Sequence, residues 1–297
     1  MPDPVKRLSP EENLLARFVD RTGEIDKFRL MLDNFERCIM VVWGESGAGK
    51  SALQTRLMHE CTLRNVKKVR VTSRSLLPLD YMAVMEEIKS GLGAAAFEAF
   101  TTLVEASKKR TLDVAVRFEG GAINVGNQAQ ITGSHIDNMA GVIVNKLEIN
   151  TGPSEMQELD TERVVKITRS FVECLQRVLQ EGPVVLFLDD LEKMSPGTEG
   201  WLWSELLCLL RDGTLNNLVA VVCGQRKPTL ETDWDDYTEV TEIGNFDQTL
   251  ILEYLVKRGI AEEYRAGMAF TLFTMTRGKV GEVVKIVSDA LQASSKK

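Results

Sequence analysis

The stretch MVVWGESGAGKSAL, residues 40–53, constrains this chain more than any other part of it. Gly44, Gly49, Lys50 and Ser51 fit the spacing G-x-x-x-x-G-K-[ST], with Gly47 an extra small residue inside the turn. Such a loop follows a strand and opens a helix, and its backbone N–H groups wrap a phosphate chain. Glycines reach the left-handed dihedrals this wrap needs and put no Cβ in the anion's way. The helix opening near Lys50 adds the positive end of its dipole. The spacing therefore predicts a phosphate cradle of Gly44, Glu45, Ser46, Gly47, Ala48, Gly49, Lys50, Ser51 and Ala52. In it, Lys50 reaches the β- and γ-phosphates and the Ser51 hydroxyl ligates Mg²⁺. The flanks agree. Residues 38–43 read as a buried strand, and SALQTRLMHECTL has helical apolar spacing at Ala52, Leu53, Leu57 and Met58.

A second constraint is the run Val184-Val185-Leu186-Phe187-Leu188-Asp189-Asp190, five apolar residues closed by two carboxylates. A fully buried central strand ends at the carboxyl edge of its sheet, where ligands sit in open α/β folds. Asp189 is the second metal candidate, acting through water, and Asp190 the candidate that orients or deprotonates an attacking water. Glu192 is held in reserve for that second role. The next apolar run, VAVVCGQR, puts Gln225 and Arg226 at a strand tip. If the two strands are neighbours, Gln225 can read a γ-phosphate, and Arg226 either stabilises charge, in cis or across a subunit interface, or is a solvated loop cation.

Strands alternating with helices, then a wholly helical tail, imply an α/β fold: a parallel-sheet P-loop core with a C-terminal helical lid. The expected division is an N-terminal segment over 1–22, the core over 23–235 and the lid over 236–297. Residues 111–150 alternate apolar and polar positions between glycine and asparagine turns, which predicts short strands, with 151–160 a polar linker. This β-like insert, about 111–160, is either a surface decoration or an assembly and partner contact.

The remaining chemistry is excluded by composition. A net charge of −7 and a pI near 5.2 argue against a nucleic acid as the main partner. The basic residues Arg64, Lys67, Lys68, Arg70 and Arg74, with Lys108, Lys109 and Arg110, leave a DNA-facing surface as a disfavoured alternative. Five cysteines without C-x-x-C spacing read as buried, reduced thiols, not as disulfides or a zinc site. No apolar run approaches the roughly 18 residues of a membrane span, and no signal-peptide core opens the chain. The expectation is a soluble, cytoplasmic protein.

With these motifs placed, the chain resembles the AAA+-like P-loop ATPases of the STAND class and their origin-recognition-like relatives. RFVDRTGEIDKFRLML resembles the family's opening segment, WGESGAGKSAL its Walker A, VVLFLDDLEKM its Walker B and VAVVCGQR its first-sensor strand. FDQTLILEYLVKRGI and TRGKVGEVVKIV are similar to its lid helices, with Val280 where proline is usual. The resemblance implies ATP and Mg²⁺ as cofactors, adenine contacts by Val19 and Arg21, and Arg277 or Lys279 as second-sensor cations. Asp20 stands where the family carries glycine, and Asp190 where AAA+ enzymes commonly carry glutamate. The implied function is a slow ATPase acting as a molecular switch that couples nucleotide state to self-association or a protein partner. A DNA-associated loader and a non-hydrolysing interaction module are the alternatives, and a small-molecule kinase is disfavoured.

Overall fold

The computed structural model describes residues 9–19, 21–72, 79–116, 123–125, 129–131 and 153–294. The chain divides into two compact units, Met1–Gly93 with Gln176–Lys297, and Ala94–Leu175.

The first unit is built on five parallel strands: β1 (Ile39–Trp43), β2 (Lys67–Val71), β5 (Val184–Leu188), β6 (Leu218–Gly224) and β7 (Thr238–Glu242). Their order is β2-β5-β6-β1-β7. The expected neighbours, β5 and β6, do pair, and β6 lies between β5 and the strand that carries the phosphate loop. Register decides what meets at the edge. Val71 stands opposite Leu188, Leu188 opposite Val222, and Gly224 opposite Trp43. The segments leaving these strands therefore emerge side by side at the carboxyl edge.

The three central strands β5, β6 and β1 are apolar on both faces because helices cover both. Helices α2 (Thr22–Asn34) and α3 (Lys50–Leu63) bury Phe28, Met31, Leu53 and Leu57 against Met40, Val42, Phe187 and Val221. The neighbouring positions Ile39, Val41, Leu186 and Leu188 point the other way and are equally buried, as the period of two requires. Helix α4 (Tyr81–Leu92) starts at Asp80, whose carboxylate accepts from the Ala83 N–H at 2.7 Å, the N-cap its sequence suggests.

One charge is buried beneath α3. Glu60 has a side chain only 4% exposed and pairs with Arg29 (2.9 Å) and Arg56 (2.6 Å). Burial by itself would raise its pKa, but the hydrogen bond from Arg29 and the charges of Arg56, Arg29 and Arg64 outweigh it and hold Glu60 below its usual 4.5. A depressed folded pKa means that the stabilisation is complete above pH 4.5 and is lost as pH falls through the folded value. Glu60→Gln is thus expected to lower the urea midpoint at pH 7 and to flatten its fall below pH 4.5. An unchanged acid limb would contradict this assignment.

The lid follows: α9 (Gln248–Lys257), α10 (Glu262–Thr276) and α11 (Val280–Ser294), with its own core of Ile251, Tyr254, Leu255, Leu272, Val283 and Val287 joined by Val19 and Phe246. Since β7 reaches Glu242, the sheet extends past residue 235, where the sequence places the start of the lid. Within residues 1–22, residues 10–17 form a helix, α1.

The second unit contains α5 (Glu98–Val116), a hairpin of β3 (Ile123–Val125) with β4 (Ala129–Ile131), and most of α6 (Pro153–Gln180). Phe97 and Phe100 each pack on Phe171, with ring centroids 5.5 and 5.4 Å apart. The hairpin agrees with the predicted short strands. Two corrections apply: residues 111–116 extend α5, and residues 153–160, read as a polar linker, open α6. Local alternation at 111–116 and a polar composition at 153–160 lose to helix propagation, which adds a hydrogen bond per residue once a turn exists. The rest of the 111–160 insert, with Asp20 and Arg74, lies outside the described residues.

Between α6 and β6, α7 (Pro196–Trp201) and α8 (Cys208–Arg211) are joined through a π-helical stretch, Leu202–Leu207. Among the described residues no helix is long and apolar enough to cross a membrane.

Candidate nucleotide site

The phosphate loop is set by backbone first. Gly49 takes φ 101°, a left-handed value that a side chain would strain, and so turns the chain into α3 at Lys50. Lys50 Nζ lies back over its own loop, donating to the carbonyls of Gly44 (2.6 Å) and Glu45 (2.9 Å). A cavity of about 280 Å³ faces this loop. Ser46, Gly47, Gly49, Lys50, Ser51 and Ala52 form one wall; Asp189, Asp190, Glu192 and Gln225 form another; Val280, Gly281 and Val284 of α11 close it. The start of α11 sits on the loop itself, where the Gly281 N–H donates to the Gly47 carbonyl at 3.0 Å.

The acids at the end of β5 each have a partner. Asp189 is buried, and its Oδ2 accepts from Arg70 Nη2 at 2.7 Å while Oδ1 accepts from the Asp190 N–H at 3.0 Å. Arg70 comes from the end of β2, the strand beside β5. Asp190 adopts a left-handed backbone (φ 58°, ψ 46°) and its Oδ2 accepts from Lys193 Nζ at 2.7 Å. That contact raises the pKa of the Lys193 ammonium. Glu192, two residues on, accepts from the Gln225 backbone N–H (3.2 Å) and from Gln225 Nε2 (2.6 Å).

The donor set suits Mg²⁺. This ion keeps several waters and takes one or two protein oxygens beside those of phosphates, and the Ser51 hydroxyl and Asp189 carboxylate share one cavity. Thiol ligands are unsuited: burial pushes Cys38 up to about 11 and Cys61 to about 12, and raises Cys223 at the edge of the site as well. Among the described residues, no group of three or more His, Cys, Asp or Glu side chains forms a metal cluster.

A second cavity, about 300 Å³ and mostly apolar, continues the first, with which it shares Gly49, Ala52, Val280 and Val284. Val19, Arg21 and Ala48 line it. Arg21 is fixed by a left-handed backbone and by donating to the Gly244 carbonyl at 2.7 Å. Residues that sequence reasoning missed complete it: Leu14 and Arg17 from α1, and Phe246, Tyr254 and Arg258 from the lid. A signal for α1 was present in Ser9-Pro10-Glu11-Glu12. The Ser9 hydroxyl accepts from the Glu12 N–H (3.1 Å), the Glu12 carboxylate accepts from the Ser9 N–H (2.7 Å), and Pro10 occupies the first helical position.

Two sets of expected site residues lie outside both cavities. Arg226 is exposed and lines neither cavity, so Gln225 is brought to the site and its neighbour is not. Arg277 and Lys279 are exposed on the turn before α11, and the lid meets the cavities through Val280, Gly281 and Val284 instead. Four members of the basic run, the surface left as a disfavoured site for DNA, pair within the chain. Arg64 pairs with Asp33 (2.5 Å), Lys67 with Glu181 (2.7 Å), Lys68 with the Thr62 hydroxyl, and Arg70 with Asp189.

Comparison with known proteins places this arrangement. Among solved structures the chain is similar to Cdc6p from Pyrobaculum aerophilum, at 13% identity and a TM-score of 0.49 over 99% of this chain and 65% of that one. It is also similar to the Signal Transduction ATPase with Numerous Domains (STAND) protein with a tetratricopeptide repeat sensor from Pyrococcus horikoshii, at 13% identity and 0.44 over 89% and 28%. C. elegans PCH-2 is similar at 12% identity and 0.46 over 93% and 64%. The chain thus spans less than two thirds of the length of each of these three. No curated protein sequence matches it. A family model described as an AAA ATPase domain does match, over residues 17–222, from the segment before α2 into β6. With the phosphate loop, the acid-tipped strand and most of the strand between them inside that match, the chain belongs to the AAA ATPase domain family and has a P-loop AAA+ core.

Proposed function

We propose that this protein is an ATP-driven molecular switch, binding ATP with Mg²⁺, hydrolysing it slowly and coupling nucleotide state to self-association or to a protein partner. The observation that carries the reading is the seat of α11 on the phosphate loop. The helix contributes to both cavities and donates to Gly47, so a ligand bridging them touches core and lid together. A ligand can shift an equilibrium only by its differential affinity for the two states, and a γ-phosphate supplies that difference. In this reading the core runs to Glu242 and the lid from Phe246 onward.

Within the site, Lys50 exchanges its two loop carbonyls for phosphate oxygens, and the loop amides from Gly44 to Ala52 hold the chain. Ser51 and Asp189 would hold the ion, which would offset phosphate charge. Val19 and Arg21, with the lid's Tyr254, enclose the base. Gln225 reads the γ-phosphate, and a carboxylate of the 190–192 turn takes the water proton. Slow turnover is supported by the lid wall: Val280, Gly281 and Val284 bring no cation to the phosphate cavity. Arg226, exposed beside Gln225, is available to a neighbouring subunit.

The DNA-loader alternative is weakened by the pairing of Arg64, Lys67, Lys68 and Arg70 within the chain. Light scattering on the eluting protein, with and without ATP–Mg²⁺, tests the switch. The expected result is a nucleotide-dependent change in mass, indifferent to duplex DNA, accompanied by slow phosphate release. A mass blind to ATP, or binding to duplex that falls steeply with salt, would overturn it.

A further inference from the structure

We propose that Glu192, rather than either member of the aspartate pair, is the carboxylate that takes the proton from the attacking water, and that Gln225 holds it in place. The inference rests on the reading of the protein as an ATPase and names the base within that same site.

Three observations separate the candidates. Asp189 is the carboxylate assigned to the ion in that reading, and its oxygens also accept from Arg70 and from the Asp190 N–H. Asp190 has its Oδ2 occupied by the ammonium of Lys193 at 2.7 Å. Among the described residues no cation lies at hydrogen-bond distance from Glu192; its two oxygens meet the neutral amide and backbone N–H of Gln225.

The backbone explains how a residue beyond the strand returns to the cavity. The left-handed turn at Asp190 feeds a single 3-10 turn, Leu191–Lys193, closed by the Lys193 N–H donating to the Asp190 carbonyl at 2.8 Å. Position 192 then faces the same cavity as Lys50 and Ser51. Gln225 follows Gly224, which stands opposite Trp43, the last residue of β1 before the phosphate loop. Its Nε2 carries two N–H groups. One is given to Glu192 Oε1, and the second is left for a γ-phosphate oxygen, so one amide spans base and phosphate. The step balances: water oxygen bonds to the γ-phosphorus, its proton passes to Glu192, the bond to the β–γ bridging oxygen breaks, and ADP leaves with that electron pair. Glu192 then returns the proton to solvent.

The test uses the full chain, ATP and Mg²⁺, with nucleotide affinity and single-turnover phosphate release read separately and thermal unfolding as the folding control. For Glu192→Gln we expect ATP affinity within about threefold of the parent and release slowed ~100-fold or more, the range that general-base removal produces. The acid limb of the rate–pH profile should vanish with it, a change that a merely structural residue would not cause. Asp190→Asn should slow release less than Glu192→Gln does and should keep that limb. Gln225→Ala should slow release and leave ADP affinity unchanged. If Glu192→Gln turns over normally while Asp190→Asn is inactive, the assignment is wrong though the ATPase stands. If the parent protein binds ATP and releases no phosphate, the assignment and the hydrolysis reading fall together.

Discussion

Replacing Lys50 by alanine is expected to weaken ATP binding by at least ~100-fold, equivalent to about 2.7 kcal/mol. Lys50 Nζ is held 2.6 and 2.9 Å from the Gly44 and Glu45 carbonyls, in a loop whose residues Ser46, Gly47, Gly49, Lys50 and Ser51 line one cavity. Exchanging two neutral acceptors for phosphate oxygens gains charge-assisted hydrogen bonds, each worth roughly 1.5–3 kcal/mol. Losing the ammonium forfeits these bonds and leaves the phosphate charge to the loop amides and the α3 dipole alone. The fold should be indifferent, because Lys50 packs no core. Titration calorimetry with ATP and with ADP checks this, and the ATP loss should exceed the ADP loss because the γ-phosphate goes with it. Affinity preserved in Lys50→Ala would falsify the placement of triphosphate on this loop.

Gly278→Ala should have the largest effect on the lid. Gly278 sits at φ 74° in the turn between α10 and α11, and a Cβ there would lie 1.8 Å from the Phe246 carbonyl oxygen. The neighbour cannot swing away as a side chain does. It is backbone, tied back by the Phe246 N–H donating to the Gly278 carbonyl at 2.8 Å. The left-handed conformation alone costs a non-glycine residue about 1–2 kcal/mol, and the overlap adds to it, for a total above ~3 kcal/mol. Phe246 enters the lid core and Val280 follows two residues after the glycine, so the strain falls where lid meets core. Hydrogen-exchange protection over 246–294 should drop, the core strands should keep theirs, and ATP affinity should fall because Val280, Gly281 and Val284 leave the cavities. Unchanged protection over the lid would show that this turn does not anchor it.

The two variants probe parts of the protein that were unequally legible. The phosphate loop is a contiguous run in which strand, turn and helix start all follow from neighbours in sequence, so Gly44 to Ala52 could be read directly. The buried strand ending at Asp189 was legible for a similar reason: an uninterrupted apolar run is compatible only with a strand covered on both faces. Helix α1 carried a readable cap at Ser9–Glu12 but little apolar periodicity, and the Pro-rich flank masked it. Residues 111–116 and 153–160 failed for the opposite reason, since a local pattern favouring strand or linker gave way to extension of an adjoining helix.

The amino-acid order by itself determined the backbone chemistry of this protein: where amides turn to meet an anion, which strands are buried, and that acids stand at a strand's carboxyl end. Which side chains answer one another was decided only by the tertiary structure. Arg70 meets Asp189 because β2 and β5 are adjacent, and Gln225 meets Glu192 because β5 and β6 are. Arg277 and Lys279 miss the phosphate cavity because the turn before α11 points them outward, leaving Val280 and Gly281 on the loop. The physical reason is range. A turn is closed by hydrogen bonds a few residues apart, whereas each of these pairings joins residues more than thirty positions distant, and strand order and register alone bring them within bonding distance.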